Sequence, residues 1–115
     1  MNDLISVVIP TFNRSKFLER AICSVFSQTY KFWELIVVDN SSTDDTLDML
    51  EKFSGDKLSV FTANNRGVIG YSRNIGIKKA KGKYVAFLDS DDWWTEDKLS
   101  RVIDTLNKYR LDVVY

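Results

Sequence analysis

ELIVVDNSSTDDTLDMLEKF, residues 34–53, holds two periodicities end to end. ELIVVD (34–39) is a continuous apolar run closed by an acid, the pattern of a strand buried on both faces. NSSTDDTLDMLEKF (40–53) opens with capping residues, and Asp44 and Asp45 fall where the positive end of a helix dipole favours acids. Leu47, Leu50 and Phe53 give that helix an expected core face. A buried strand that passes directly into a helix is half of a βαβ unit.

The same alternation extends in both directions. Upstream, ISVVIP (5–10) is a β-branched apolar strand closed by the only proline. SKFLERAICSVFSQ (15–28) follows, with Phe17, Leu18, Ala21, Ile22, Val25 and Phe26 on one stripe and Ser15 as N-cap. Downstream, LSVFT (58–62) reads as a third, weaker strand. GYSRNIGIKKAKG (70–82) has helical spacing through Tyr71, Ile75 and Lys78, with Gly82 as its stop. KYVAFLD (83–89) is a fourth strand, apolar and expected to be buried. TEDKLSRVIDTLNKY (95–109) is a helix with Leu99, Val102, Ile103 and Leu106 inward, and LDVVY (111–115) begins a fifth strand. Continuous apolar strands alternating with helices predict one α/β domain, a doubly wound, mostly parallel sheet with helices on both faces.

Composition narrows the function. The chain has 115 residues, 44% hydrophobic and 28% charged, which suits one soluble domain. Sixteen basic and sixteen acidic residues cancel, so no global field points to nucleic acid or an anionic membrane. The absence of histidine excludes a Ser-His-Asp or Cys-His engine and a histidine-ligated metal within this chain. Cys23 stands alone and lies off the apolar stripe, which fits a reducing compartment and a passive thiol. No apolar run approaches the ~20 residues that span a bilayer, and the N-terminus lacks a signal-peptide pattern. A cytoplasmic location is the expectation, with membrane association a property of a longer protein.

Ligands of open α/β sheets bind outside the carboxyl ends of the strands. Thr11, Asn13 and Arg14 follow the first strand there, and Asp39, Asn40 and Ser42 follow the second. Asp89, Ser90, Asp91 and Asp92 follow the fourth, and Arg73 lies near the start of the third helix. Each has a plainer role open to it. Asp39 could cap a turn, Arg73 could be a solvated helix residue, and Trp93 and Trp94 could be packing residues. Three acids within FLDSDD (87–92) are harder to explain by capping, because like charges ~6 Å apart repel by roughly 2–3 kcal/mol at an effective dielectric near 20. Magnesium or manganese, bound through one or two carboxylates and substrate phosphates, would use such a cluster. Neither GxGxxG nor GxxxxGK[ST] occurs, so dinucleotide and P-loop cradles are unsupported.

VVIPTFNRSKFLERAICSVFSQTY (7–30), ELIVVDNSSTDDT (34–46) and NNRGVIGYSRNIGIKKAKGKYVAFLDSDD (64–92) together resemble the family 2 glycosyltransferases of GT-A fold. The resemblance implies that Asp39 recognises the nucleotide base and that Pro10 and Thr11 lie along the nucleoside. It implies that Arg73 contacts the nucleotide, that Asp89 lies toward the ribose, and that Asp91 reaches the metal. Asp89 and Asp91 are thus the expected ligands of Mn2+ or Mg2+. Asn13, Asn40 and Ser90 join the expected nucleotide-diphospho-sugar contacts. Asn40 stands where many members carry a second aspartate.

The family's acceptor site and carboxylate base lie beyond the nucleotide half, so the resemblance implies a donor-binding part with its base past Tyr115. The expected partners are a nucleotide-sugar donor, most readily a UDP-sugar, and a carbohydrate or lipid-linked acceptor, as in polysaccharide biosynthesis. Self-association is expected through an apolar patch carrying Val113, Val114 and Tyr115, together with Trp93 and Trp94. Two other readings differ in class. A receiver domain would need an acid pair after the first strand, where Pro10-Thr11-Phe12-Asn13 stand instead. A nucleotide-binding module without catalysis of its own remains open.

Overall fold

The computed structural model describes residues 3–13, 15–40, 42–64 and 69–109. Arg14 and the expected strand at 111–115, with Val113, Val114 and Tyr115, lie outside the described residues. Four strands, β1 (Ile5–Thr11), β2 (Trp33–Asp39), β3 (Leu58–Thr62) and β4 (Tyr84–Phe87), form one sheet in the order β3-β2-β1-β4. Every pairing is parallel. The register sets Thr11 beside Asp39 and Asp39 beside Thr62, so the ends of the first three strands lie level.

Alternation along the strands builds a core on each face. Ile5, Val7 and Ile9 of β1 with Leu35 and Val37 of β2 meet helix α1 (Ser15–Phe26), the short α2 (Thr46–Leu50) and α4 (Lys98–Tyr109). Val8, Ile36 and Val38 point the other way, toward Ile75 of α3 (Ile69–Lys79) and toward Phe61 of β3. Each such fully buried aliphatic contributes ~1.5–3 kcal/mol. The doubly wound α/β reading is therefore what the chain adopts. Among the described residues no helix is long and apolar enough to cross a membrane.

Several local expectations need correction. In α1, Leu18, Ala21, Ile22 and Val25 are fully buried, Phe17 is exposed, and Phe26, at the edge of the stripe, packs edge-on against buried Trp33 while staying partly open. The helix after β2 is only Thr46–Leu50, continued by a 3₁₀ turn at Glu51–Phe53. It turns Thr46, Met49 and Leu50 inward and leaves Leu47 exposed. The third helix buries Ser72 and Gly76 while Tyr71 and Lys78 face outward. The reason is close approach. A Cβ on Gly76 would stand 2.3 Å from Val8 Cγ1, so the glycine lets α3 settle directly onto β1. Helix α3 also stops at Lys79, short of Gly82, and α4 begins at Lys98, three residues after Thr95.

Strand β4 is not buried on both faces. Val85 and Phe87 are 37% and 42% exposed, since among the described residues β4 is an edge strand that α3 covers only in part. Leu88, just beyond it, is buried and donates its amide to Val8 O at 3.0 Å. Trp94 packs against the core, Trp93 is exposed, and Cys23 is an exposed free thiol.

Candidate functional site

A cleft of about 550 Å³ opens over the carboxyl ends of β1, β2 and β4. Pro10, Thr11 and Phe12 line it from the first strand, Asn40 from the second, and Asp89, Ser90 and Asp91 from the fourth. Gly70, Ser72 and Arg73 close it from the first turns of α3. Seven of the nine expected donor contacts meet here: Pro10, Thr11, Asn40, Arg73, Asp89, Ser90 and Asp91. The other two, Asn13 and Asp39, are not among its lining residues.

Asp39 is fully buried and its carboxylate accepts the amide of Ser42 at 3.1 Å and the Ser42 hydroxyl. The turn-capping role open to it from sequence is therefore a geometric fact, and it fixes the first residues after β2. Asn13 sits in the left-handed region at φ 49°, which asparagine tolerates better than most residues. Its side-chain carbonyl accepts the backbone amides of Thr43 and Asp44 at 2.7 and 3.2 Å, and its backbone amide donates to Ser42 Oγ at 2.9 Å. Asn40 N donates to Thr11 O at 2.9 Å. Asn13 and Asp39 thus lock the loops after β1 and β2 to each other, so that the cleft's floor is preformed.

The wall is electrostatic. Arg73 Nη2 lies 3.1 Å from Asp89 Oδ1, and its guanidinium carbon sits 5.4 Å from the centre of the Phe87 ring. Both partners of this ion pair are about half exposed, so in water it contributes only ~0–1 kcal/mol to stability. Its Nε is buried with no hydrogen-bond partner among the described residues, and so is the hydroxyl of Thr11, a residue 5% exposed on the cleft floor. Stranded buried donors cost ~1–3 kcal/mol each unless something else accepts from them.

The acid cluster divides. Asp89 and Asp91 line the cleft, whereas Asp92 Oδ1 accepts the Trp93 amide at 2.9 Å and serves its own turn. Among the described residues no three acids gather closely enough to hold a metal alone. Hard oxygen donors on Asp89 and Asp91, in the same cleft as the unpartnered Thr11 hydroxyl, still suit Mg2+ or Mn2+ that takes its remaining ligands from phosphate. The residues fit such an ion.

Phe12, Gly70 and Ser72 were not singled out from sequence, although all three line the cleft. Their positions could have shown it: Phe12 directly follows Thr11, and Gly70 and Ser72 share the first turns of α3 with Arg73. An exposed phenylalanine, 47% accessible at the mouth of a polar cleft, offers a flat face to a planar ring.

The sequence model of Glycosyl transferase family 2 matches residues 6–115. A putative teichuronic acid biosynthesis glycosyltransferase, TuaG of Bacillus subtilis, is 37% identical over 88% of this chain and 41% of its own length. The Escherichia coli enzyme WfaP, named UDP-Glc:alpha-D-GlcNAc-diphosphoundecaprenol beta-1,3-glucosyltransferase, is 41% identical over 88% of this chain and 40% of its own length. The chain therefore spans about two fifths of these relatives. Among solved structures, S. aureus TarS 1-349 in complex with UDP-GlcNAc superposes with a TM-score of 0.87 at 33% identity, over 92% of this chain and 32% of that one. The mannosyltransferase PcManGT from Pyrobaculum calidifontis, in complex with GDP-Man and Mn2+, gives 0.82 at 26% identity over 89% of this chain and 32% of that one.

Proposed function

The chain belongs to glycosyl transferase family 2, and from that premise we propose that it is the donor-binding part of a transferase using a UDP-sugar. One observation carries the reading: Thr11, Arg73, Asp89 and Asp91 line a single cleft at the carboxyl ends of parallel strands. The TarS complex with UDP-GlcNAc supports a nucleotide-sugar donor, and the name of WfaP supports a lipid-linked acceptor in polysaccharide biosynthesis. The reaction would move the sugar to an acceptor hydroxyl with inversion at the anomeric carbon.

Each residue has a part in this proposal. Thr11 and Phe12 hold the nucleoside, the first by its unpartnered hydroxyl and the second by its ring. Asp39, beside Thr11 in the strand register, would orient the base as well as cap its own loop. Arg73 neutralises the leaving diphosphate, and its pairing with Asp89 keeps it aimed before the donor arrives. Asp91, with Asp89, would hold Mn2+ or Mg2+, which when bound supplies Lewis-acid stabilisation of the departing diphosphate. Asn40 and Ser90 complete the polar lining. The base that deprotonates the acceptor we place in the part of the relatives' length that this chain does not span, so the chain by itself binds donor without turnover. A cytoplasmic location and self-association through apolar surface belong to the same proposal.

Calorimetric titration of the chain with UDP, in manganese and then in EDTA, tests it. The reading requires binding in the millimolar to micromolar range that depends on the metal. Equal affinity in both buffers overturns the metal-bridged donor site.

A further inference from the structure

Gln28 is an uncharged side chain with no exposed surface, set two residues after α1 ends. Its amide nitrogen donates to Ser24 O at 3.0 Å and to Thr95 O at 2.7 Å. Its carbonyl oxygen accepts the backbone amide of Leu99 at 2.9 Å. Leu99 is the second residue of α4, so its N–H is one of the four that no helix can satisfy internally. The N-terminal cap of α4 is thus partly delivered from a different element, 71 residues away in sequence.

The position of this clamp matters because of what it closes. The segment from Asp89 to Trp94 carries both acids of the cleft, and it is anchored at its entry by buried Leu88 through Val8 O. Its exit is Thr95-Glu96, held by Gln28 and by Thr29, whose amide and hydroxyl both donate to Glu96 O, at 2.8 and 3.2 Å. Arg20 of α1 adds a contact of 3.4 Å to Asp91 O from the same side. Helix α1 and its C-terminal turn therefore fix where the acid-bearing loop ends, and Arg20 also touches the loop itself.

We propose that Gln28 is a positioning residue for the donor site: it sets the landing point of the 89–94 loop and so the placement of Asp91. The proposal rests on the metal-dependent donor reading given above. A loop free at its exit could still hold the acids, but in a spread of positions, and metal affinity depends on oxygen donors held in place.

The test compares the chain with Gln28→Met, which keeps side-chain length and apolar packing but makes none of the three hydrogen bonds. Two readouts are taken: amide hydrogen exchange across the chain, and the ratio of UDP affinities in manganese and in EDTA. The proposal expects exchange at residues 89–99 to rise at least about tenfold beyond the rest of the chain, and the manganese-to-EDTA ratio to fall at least about fivefold. Met49→Ala, a core change at α2, is the control for general destabilisation and should leave the ratio intact. A Gln28→Met protein with lowered melting temperature, uniform exchange and a wild-type ratio would make Gln28 an ordinary core amide and overturn the inference. Should Gln28→Met not fold, Gln28→Asn, which keeps a buried amide but shortens its reach to Thr95 O and the Leu99 amide, takes its place, and an unchanged ratio there counts equally against the inference. If the wild-type chain shows no manganese effect, it is the donor reading that fails, and localised exchange at 89–99 alone then decides whether Gln28 holds the loop.

Discussion

Arg73 Nη2 reaches across from α3 to Asp89 Oδ1 at 3.1 Å, joining the helix on one face of the sheet to the loop after its edge strand. An ion pair this exposed holds little folding energy. Its consequence is orientation, because it keeps a cation and a carboxylate side by side at the mouth of the cleft while Phe87 supports the guanidinium from beneath.

Arg73→Met should therefore separate binding from stability. UDP affinity in manganese is expected to fall about tenfold or more, the scale of one lost charge-assisted hydrogen bond. The melting temperature should move by no more than about 2 °C, as for a surface substitution. Calorimetry beside a thermal melt checks both, and a large melting shift with intact affinity would reassign Arg73 to the fold.

Asp39 caps its own loop and, on the proposed reading, also orients the base, and the two parts are separable. Asp39→Ala leaves the Ser42 amide unpaired, which should cost about 1–3 kcal/mol of stability by urea unfolding. It should also weaken UDP binding by roughly 1–3 kcal/mol while manganese pyrophosphate binds nearly as before. Parallel loss of UDP and pyrophosphate would leave Asp39 as a loop cap alone.

Gly76→Ala should destabilise the chain by roughly 1–3 kcal/mol, the range for overpacking, since the added methyl meets Val8 at 2.3 Å. Adding Val8→Ala should recover part of that loss, giving a non-additive pair in denaturant unfolding. Simple additivity would mean that the loss does not come from the contact with Val8.

Asp44 makes stability depend on acid pH. The Thr46 hydroxyl, helped by the amides of Thr46 and Ser15, holds its carboxyl below the usual range against the opposing effect of burial. A depressed folded pKa means that the unfolded chain binds the proton first. The contribution is thus fully present above about pH 4 and lost as pH falls through the folded value. Thr46→Val should raise the Asp44 midpoint, read from its carboxyl carbon shift in NMR, and flatten the fall in stability below pH 4. An unmoved midpoint would show that the hydroxyl is not the cause.

Much of this was legible in the sequence because parallel strands buried on both faces leave continuous apolar runs. ISVVIP and ELIVVD could be placed that way, and the residues trailing them then fell at one edge of the sheet. Periodicity failed where packing depends on something other than apolar size. Ser72 and Gly76 are the buried positions of α3, with Ile75 of the expected stripe packing beside them and Tyr71 and Lys78 facing outward. Asn13 and Gln28 act through partners 30 and 71 residues away, which no local spacing announces. KYVAFLD is apolar enough to predict a buried strand, yet it stands at the edge of the described sheet with Val85 and Phe87 open.

The central claim is that UDP and a divalent ion meet at Asp91 and Asp89. Paramagnetic manganese tests this most directly, by broadening the NMR signals of nearby backbone amides. Titrated at low ratio with UDP present, it should erase the amides of residues 89–92 and weaken those of Thr11 and Arg73, while α2 and the lower ends of the strands stay sharp. Manganese without UDP should do so far less, because no three acids of the described residues converge to hold the ion alone. Broadening centred elsewhere, or equal with and without UDP, would contradict the account.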